Sequence, residues 1–354
     1  MEITVQKTQN PKQIPEKVTS FGKIFTDHLF IMEYTEGQGW HDARIIPHDT
    51  LPYAPSTVAF HYGQGIFEGL KAYKAEDGKI RLFRPDKNAA RFNKSARRLD
   101  MPTIPEEDFV QAVKELVLVE QEWIPTEKDT SLYIRPYMIA TEATLGVHSA
   151  KNYQFIIILS PSGPYYKNGL EPIDIMVEKD YVRAVRGGIG EAKTMGNYAA
   201  SILAATEAER KGYSQVLWLD GVDRAYIEEV GAMNIMFKVN GTVVTPALNG
   251  SILPGVTRAS MLEVLREWGV PVEEKRLALQ EIMDAGDNGT LEEIFGTGTA
   301  AVISPVQKLN YDGQDIVATS SYDDASISHR LYNELTGIQT GRLPDTRGWV
   351  VELN

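Results

Sequence analysis

"RGGIGEAKTMGNY", residues 186–198, decides between fold classes. A phosphate loop needs G-x-x-x-x-G-K-[ST], and Gly188, Gly190, Lys193 and Thr194 do not keep that spacing. A doubly wound dinucleotide fold needs G-x-G-x-x-G, and Lys193 occupies the place of the third glycine, where a side chain spoils close helix packing. Two readings stay open: a glycine-rich turn with a solvated lysine, and a turn that presents Lys193 as a reactive amine. An amine working near neutral pH needs burial or cationic neighbours, and Arg183 and Arg186 lie close by in sequence. Tyr198 opens a helix with Ala199, Leu203 and Ala204 on its apolar side.

Outward from this stretch, strands and helices mix in both halves of the chain. "DHLFIMEY", "KIRLFRP", "SLYIRPYMIAT" and "YQFIIILSP" read as strands, the last two apolar enough for burial on both faces. "DKNAARFNKSARRL" and "PEEDFVQAVKELVLVEQEW" read as helices, the second with acids in its first turn behind Pro105. "SPSGPYYKNGLEP", residues 160–172, gathers turn formers and is the best boundary. Beyond it "IDIMVE", "SQVLWLDG", "AYIEEVG", "NIMFKV" and "GTVVTP" read as strands. "YAASILAATEAERKG", "TRASMLEVLREWG" and "SYDDASISHRLYNEL" read as helices. No regular βαβ alternation emerges, so the expected class is α+β. The expected division is a smaller domain at 1–162, a connecting loop at 163–174 and a larger domain at 175–354.

The 354 residues suffice for two full cores, and a composition 43% hydrophobic and 24% charged is that of a globular chain. A net charge of −12 disfavours nucleic acid and anionic membranes as partners. The absence of cysteine excludes disulfides, thiolate metal sites and cysteine nucleophiles. With a polar N-terminus and no apolar run of about 18 residues, the expectation is a soluble cytoplasmic protein without a metal.

Three further segments could carry chemistry. "YIEEVGAMNIMF" sets two acids inside an apolar strand, and a carboxylate forced indoors needs a cation or a proton. Alternation turns the two to opposite faces of the strand. "ILPGVTR" and "IFGTGTAAVISP" are turns whose backbone N–H groups and threonine hydroxyls suit a phosphate. "NAARFNKSARR" offers Arg91 as a clamp, or simply a solvated basic face.

Taken in order, "HYGQGIFEGLKAY", "RLFRPDKNAARF", "SLYIRPYMIAT", "SPSGPYY", "KTMGNYAAS", "QVLWLDG", "EEVGAMN", "ILPGVTR" and "FGTGTA" resemble the branched-chain amino-acid aminotransferases. These are pyridoxal-phosphate enzymes of fold type IV, a two-domain α+β architecture like that of D-amino-acid aminotransferase with the cofactor between the domains. The resemblance runs from residue 21 to residue 342.

It implies that Lys193 forms the Schiff base with the cofactor aldehyde and then moves the proton. Glu229 would face the pyridine nitrogen, which leaves Glu228 as its solvent-exposed strand neighbour, and Tyr198 would face the phenolic oxygen. Arg91, with Val256, Thr257 and Thr299, would hold the phosphate, with Arg183 near it. Phe21, Tyr62, Phe67, Tyr133 and Tyr165 would wall the substrate pocket. Arg135 would meet glutamate's distal carboxylate, and Thr299, Ala300 and Tyr62 the α-carboxylate. Leu145 and Val147 would come from the second subunit of a homodimer with shared sites.

The reaction so implied is amino transfer between leucine, isoleucine or valine and 2-oxoglutarate. The rivals are a D-amino-acid aminotransferase or an aminodeoxychorismate lyase of the same fold and, more remotely, a nucleotide-binding protein. Two departures from the family stand out. Ala301 and Ser304 occupy the places of a C-x-x-C redox pair found in animal members, and Ala232 replaces a frequent threonine.

Overall fold

The apolar runs of the first 160 residues become the middle of one sheet. The computed structural model describes residues 1–18, 20–75, 77–163 and 170–353. They divide into two units: Met1–Lys167 with Ala192–Met195 and Gly337–Asn354, and Asn168–Glu191 with Gly196–Thr336. Two stretches from beyond residue 175 thus group with the first unit, which a simple split of the chain near 163–174 does not contain.

The first unit contains strands β1 (Thr4–Val5), β2 (His28–Thr35), β3 (Gly39–Pro47), β4 (Gly65–Phe67), β5 (Leu70–Lys74), β6 (Ile80–Phe83), β7 (Ser131–Ala140) and β8 (Asn152–Ser162). They run in the order β1-β3-β2-β8-β7-β5-β6, with β4 pairing separately on β7. A strand from the far end of the chain, Val350–Leu353, lies antiparallel to β6 and closes that edge. Helices α1 (Val58–Tyr62), α2 (Pro85–Arg98) and α3 (Glu106–Val119) accompany the sheet.

Pro85 is preset for the first turn of α2, and Glu106, Glu107 and Asp108 favour the positive end of α3. Ala89, Phe92 and Ala96 of α2, at helical spacing, join Phe109 of α3 over one face of the sheet. Phe92, Phe109 and Phe155 pack with ring centroids 5.3 to 5.5 Å apart, and Phe30 extends the cluster. Leu29, Ile31 and Ile156 make a second buried cluster on the opposite face. Successive side chains of β2 and β8 therefore enter different cores, which is why these strands lack alternation although their pairing is antiparallel.

The second unit contains β9 (Ile173–Val177), α4 (Met195–Arg210), β10 (Gln215–Leu219), β11 (Ile227–Val230), β12 (Asn234–Val239), β13 (Thr242–Pro246), α5 (Val256–Glu267), β14 (Val272–Lys275), α6 (Leu279–Asp287), β15 (Leu291–Gly298), β16 (Val302–Tyr311), β17 (Gln314–Val317) and α7 (Ile327–Gln339). The strand order is β11-β10-β9-β16-β15-β12-β13-β14, with β17 on β16. Parallel β9–β10 across α4 and parallel β13–β14 across α5 make two βαβ units inside an otherwise mixed sheet. The fold is α+β, as the irregular alternation implied.

Helix α4 turns Ala204 and Ala208 onto Val216 and Trp218. Helix α7 begins at Ile327, later than its sequence pattern suggests. Residues 323–326 form a turn instead, and the buried Glu293 carboxylate accepts the N–H groups of Ile327 and Ser328 at 2.8 and 3.0 Å.

Candidate functional site

In the first unit, the segment Ala192–Met195 is held from two sides. Phe67 donates its N–H to the Lys193 carbonyl at 3.0 Å, and Ile66 bridges Thr194 antiparallel. From α2, Ser95 Oγ accepts the Lys193 N–H at 2.9 Å. Gly65 lets the segment approach closely, since a Cβ would come within 2.7 Å of Met195 Sδ and push that side chain aside. Strand and helix together fix the lysine backbone, so the amine's position is set by χ angles alone.

Lys193 Nζ lies 4.7 Å from the centroid of the Phe67 ring, and the Arg135 guanidinium lies 4.6 Å from the same ring. Arg135 Nη2 also donates to Tyr133 Oη at 3.1 Å. Phe21 meets the Tyr133 ring edge to face at 4.8 Å, and Gly69 leaves room for that ring, since a Cβ there would stand 2.3 Å from Tyr133 Oη. Burial, then the Arg91 guanidinium, push the Lys193 ammonium down to about 8, with Arg135 adding and Glu68 and Tyr133 opposing. Phe21, Phe67, Arg91, Tyr133, Arg135 and Lys193 thus form one constellation.

Arg91, expected as a phosphate clamp, makes a bidentate pair with the fully buried Glu68, Nε to Oε1 at 2.7 Å and Nη2 to Oε2 at 2.9 Å. Asn88 Nδ2 donates to Glu68 Oε2 at 2.7 Å. Burial opposes the charge on Glu68, and Arg91, Lys193 and Asn88 together override it, holding the carboxyl below its ordinary value. Glu68 went unassigned in the sequence, although an acid inside "GIFEGL" is the same signal that drew attention to Glu229. Ser95, in the middle of a basic helix face, gave no such signal.

Tyr62 falls in a different group. Its hydroxyl donates to the Leu145 carbonyl at 2.7 Å, and Leu145 and Val147 are 66% and 82% exposed. Tyr165 lies outside the described residues.

In the second unit, Glu229 of β11 is buried, with Arg183 Nε 2.5 Å from Oε2 and Asn234 Nδ2 3.1 Å from Oε1. Arg183, expected near a phosphate, spends its other contacts on the carbonyls of Gly190 and Ser251, at 3.0 and 2.5 Å. Gly190 is glycine because a Cβ would fall 2.1 Å from the Ser251 carbonyl oxygen. The opening motif's third glycine therefore serves the cradle of Arg183.

Glu228, expected to face solvent, is buried instead. Alternation does turn it away from Glu229, but that face is also covered: Asn249 Nδ2 donates to Oε1 at 3.2 Å and Ser251 Oγ donates as well.

Val256 and Thr257 open α5, whose first turn has no side-chain cap, so its leading N–H groups are available to an anion. Gly255 before them is forced by Asn234, whose Oδ1 would meet a Cβ at 2.1 Å. Thr299 and Ala300 occupy the turn between β15 and β16. That turn ends on Val302 at φ 60, a left-handed conformation rare for a β-branched residue. Beside it, Thr297 Oγ1 is buried without a partner among the described residues. An uncapped helix start and an orphaned hydroxyl are the donor set a phosphate monoester takes, so the residues fit such a group. Tyr198 sits in the first turn of α4.

Residues 65–309, more than half the chain, match the family model described as amino-transferase class IV. The branched-chain-amino-acid aminotransferase 2 of Bacillus subtilis (strain 168) is 50% identical, the match covering 100% of this chain and 97% of that protein. A probable branched-chain-amino-acid aminotransferase of Streptomyces coelicolor is 47% identical over 93% of this chain and 91% of its own. Among solved structures, the branched-chain amino acid aminotransferase of Escherichia coli superposes with a TM-score of 0.77 at 27% identity, covering 93% of this chain and 99% of that one. A second solved branched-chain amino acid aminotransferase, complexed with N-(5'-phosphopyridoxyl)-L-glutamate, gives a TM-score of 0.71 at 25% identity, covering 91% and 98%.

Proposed function

This chain belongs to the class IV amino-transferases, and from that premise we propose that it exchanges the amino group of L-leucine, L-isoleucine or L-valine with 2-oxoglutarate, using pyridoxal phosphate. The observation that carries the chemistry is Lys193, an amine pushed down to about 8 beside two guanidinium groups and one carboxylate. Such a nitrogen loses and regains a proton near neutral pH.

When bound, the cofactor supplies an aldehyde and an electron-withdrawing ring. Lys193 Nζ would be the amine that meets the aldehyde and would hold the proton moved during transfer. Glu229, paired with Arg183 and accepting from Asn234, would present a carboxylate to the ring nitrogen. The family resemblance assigns the phosphate to Arg91, to the start of α5 and to the turn bearing Thr299, and the phenolic oxygen to Tyr198. Phe67 and Tyr133 offer an apolar wall to an aliphatic side chain, while Arg135 receives the distal carboxylate of glutamate. One wall then serves both substrates. The exposed Tyr62, Leu145 and Val147 are covered by a second copy of the chain.

The test is a coupled assay with L-leucine and 2-oxoglutarate, with D-alanine as control. Glutamate formed from L-leucine alone supports the reading. Turnover of D-alanine in its place overturns it.

A further inference from the structure

We propose that Glu68 is a positioning residue for the Lys193 nitrogen, its buried carboxylate both orienting Arg91 and offsetting the push of that cation on the proton Lys193 carries. Glu68 has no exposed surface and yet keeps its charge. Arg91 Nε and Nη2 reach it at 2.7 and 2.9 Å, Asn88 Nδ2 at 2.7 Å and the Gly69 N–H at 3.2 Å. An ion pair kept only for packing is replaceable by apolar side chains at little cost, and this many donors for one carboxylate point to a use for its charge.

The neighbourhood of Lys193 shows that use. Phe67, the residue before Glu68, donates its N–H to the Lys193 carbonyl, and Ser95, one turn beyond Arg91 on α2, accepts the Lys193 N–H. The backbone contacts on both sides of the lysine therefore come from the elements that carry the ion pair. The charged and titratable groups acting on Nζ are Arg91 from α2, Glu68 beside β4, and Tyr133 and Arg135 from β7. Two of these are cations, and Glu68 is the carboxylate among them. Removing its charge leaves the nitrogen facing both guanidinium groups, which disfavours the proton further.

This inference rests on Lys193 being the reactive amine, so its test reads the nitrogen and not turnover. Two measurements on the full-length chain serve. One is the pH midpoint of the visible absorbance of the cofactor-loaded protein. The other is the pH midpoint for acylation of Lys193 in the cofactor-free protein, followed by peptide mass spectrometry.

Glu68→Gln is expected to move both midpoints down by about 1 unit, and Glu68→Asp to return them toward the native value. A folded Glu68→Gln protein with unchanged midpoints overturns the proposal. Should that variant fail to fold, Arg91→Gln and the double variant Glu68→Gln/Arg91→Gln decide. Arg91→Gln alone raises the acylation midpoint, and the double variant lies near the native one if Glu68 opposes Arg91. A double variant matching Arg91→Gln alone overturns the proposal. A shifted acylation midpoint in a protein without transaminase activity upholds this inference while removing the functional reading.

Discussion

Among the described residues, Glu68–Arg91 in the first unit and Glu229–Arg183 in the second are buried glutamate–arginine pairs, and the two are built differently. Glu68 and Arg91 meet bidentately, with Asn88 completing the carboxylate, and an amine stands beside them. Glu229 meets Arg183 through Nε, while Nη2 of that guanidinium donates to the Gly190 and Ser251 carbonyls. In the first pair the arginine is fixed by the acid. In the second the arginine is fixed by the backbone and the acid leans on it. On the proposed function, the difference suits two tasks: a cation held in place near a lysine that sheds its proton, and a carboxylate held in place to face a ligand nitrogen.

The largest expected effect separates the amine from both pairs. Lys193→Ala is expected to lower turnover by at least ~10³-fold and to abolish the visible absorbance of the loaded protein, leaving both pairs and the fold intact. Native-like thermal unfolding with residual turnover near the native rate would break the assignment. In the folded, cofactor-free protein, raising the pH through about 8 frees the Lys193 amine, whereas an ordinary lysine waits until about 10.5. Between these values the unfolded chain binds more protons than the folded one, so the contribution of this group to stability rises with pH over that window and is flat below it. Acylation of Lys193 that is half-maximal near pH 10 would contradict this.

Next come the pairs themselves. Glu68→Ala leaves Arg91 buried without its carboxylate and is expected to cost about 3–5 kcal/mol, the usual penalty for stranding one partner. Glu229→Ala should cost less, because Arg183 keeps two carbonyl acceptors. Urea midpoints of the two variants test this order, and equal losses would erase the distinction between the pairs.

Much of this was legible in the sequence, for identifiable reasons. Lys193 and Glu229 stand out against a glycine-rich and an apolar background, whereas Arg91, on a basic helix face, is singled out only by the family resemblance. Glu68 carried the same signal as Glu229 and was passed over. Burial of Glu228 was not legible, because alternation along β11 gives a direction and says nothing of what covers that face. The return of Val350–Leu353 to β6 and of Ala192–Met195 to β4 depends on pairing across long sequence separations, which local pattern does not encode. Asn234, quoted within "YIEEVGAMNIMF", was not assigned, since its role comes from reaching both Glu229 and the Leu253 carbonyl.

Asn234 supplies a sharper test of the second pair. Gly255→Ala places a methyl group 2.1 Å from Asn234 Oδ1, so the amide must move and Glu229 loses its second support. The expected cost is about 1–3 kcal/mol of stability, as for other overpacked sites, with weaker retention of the cofactor during dialysis. Full stability and retention would mean that Glu229 does not depend on Asn234 for its orientation.

Ser95→Ala probes the first pair most gently. Ser95 Oγ accepts the Lys193 N–H at 2.9 Å and donates to the Arg91 carbonyl at 3.1 Å, so one hydroxyl ties the lysine segment to the helix that carries the clamp. Its loss leaves a backbone N–H without that acceptor, a cost of about 1–3 kcal/mol if no water replaces it. The Glu68–Arg91 contacts themselves are untouched, since they run through side chains on the other flank of Arg91. The expected result is a several-fold fall in kcat with KM nearly unchanged and the acylation midpoint of Lys193 unmoved. A midpoint displaced as far as in Glu68→Gln would show that backbone placement, and not the carboxylate charge, governs the amine.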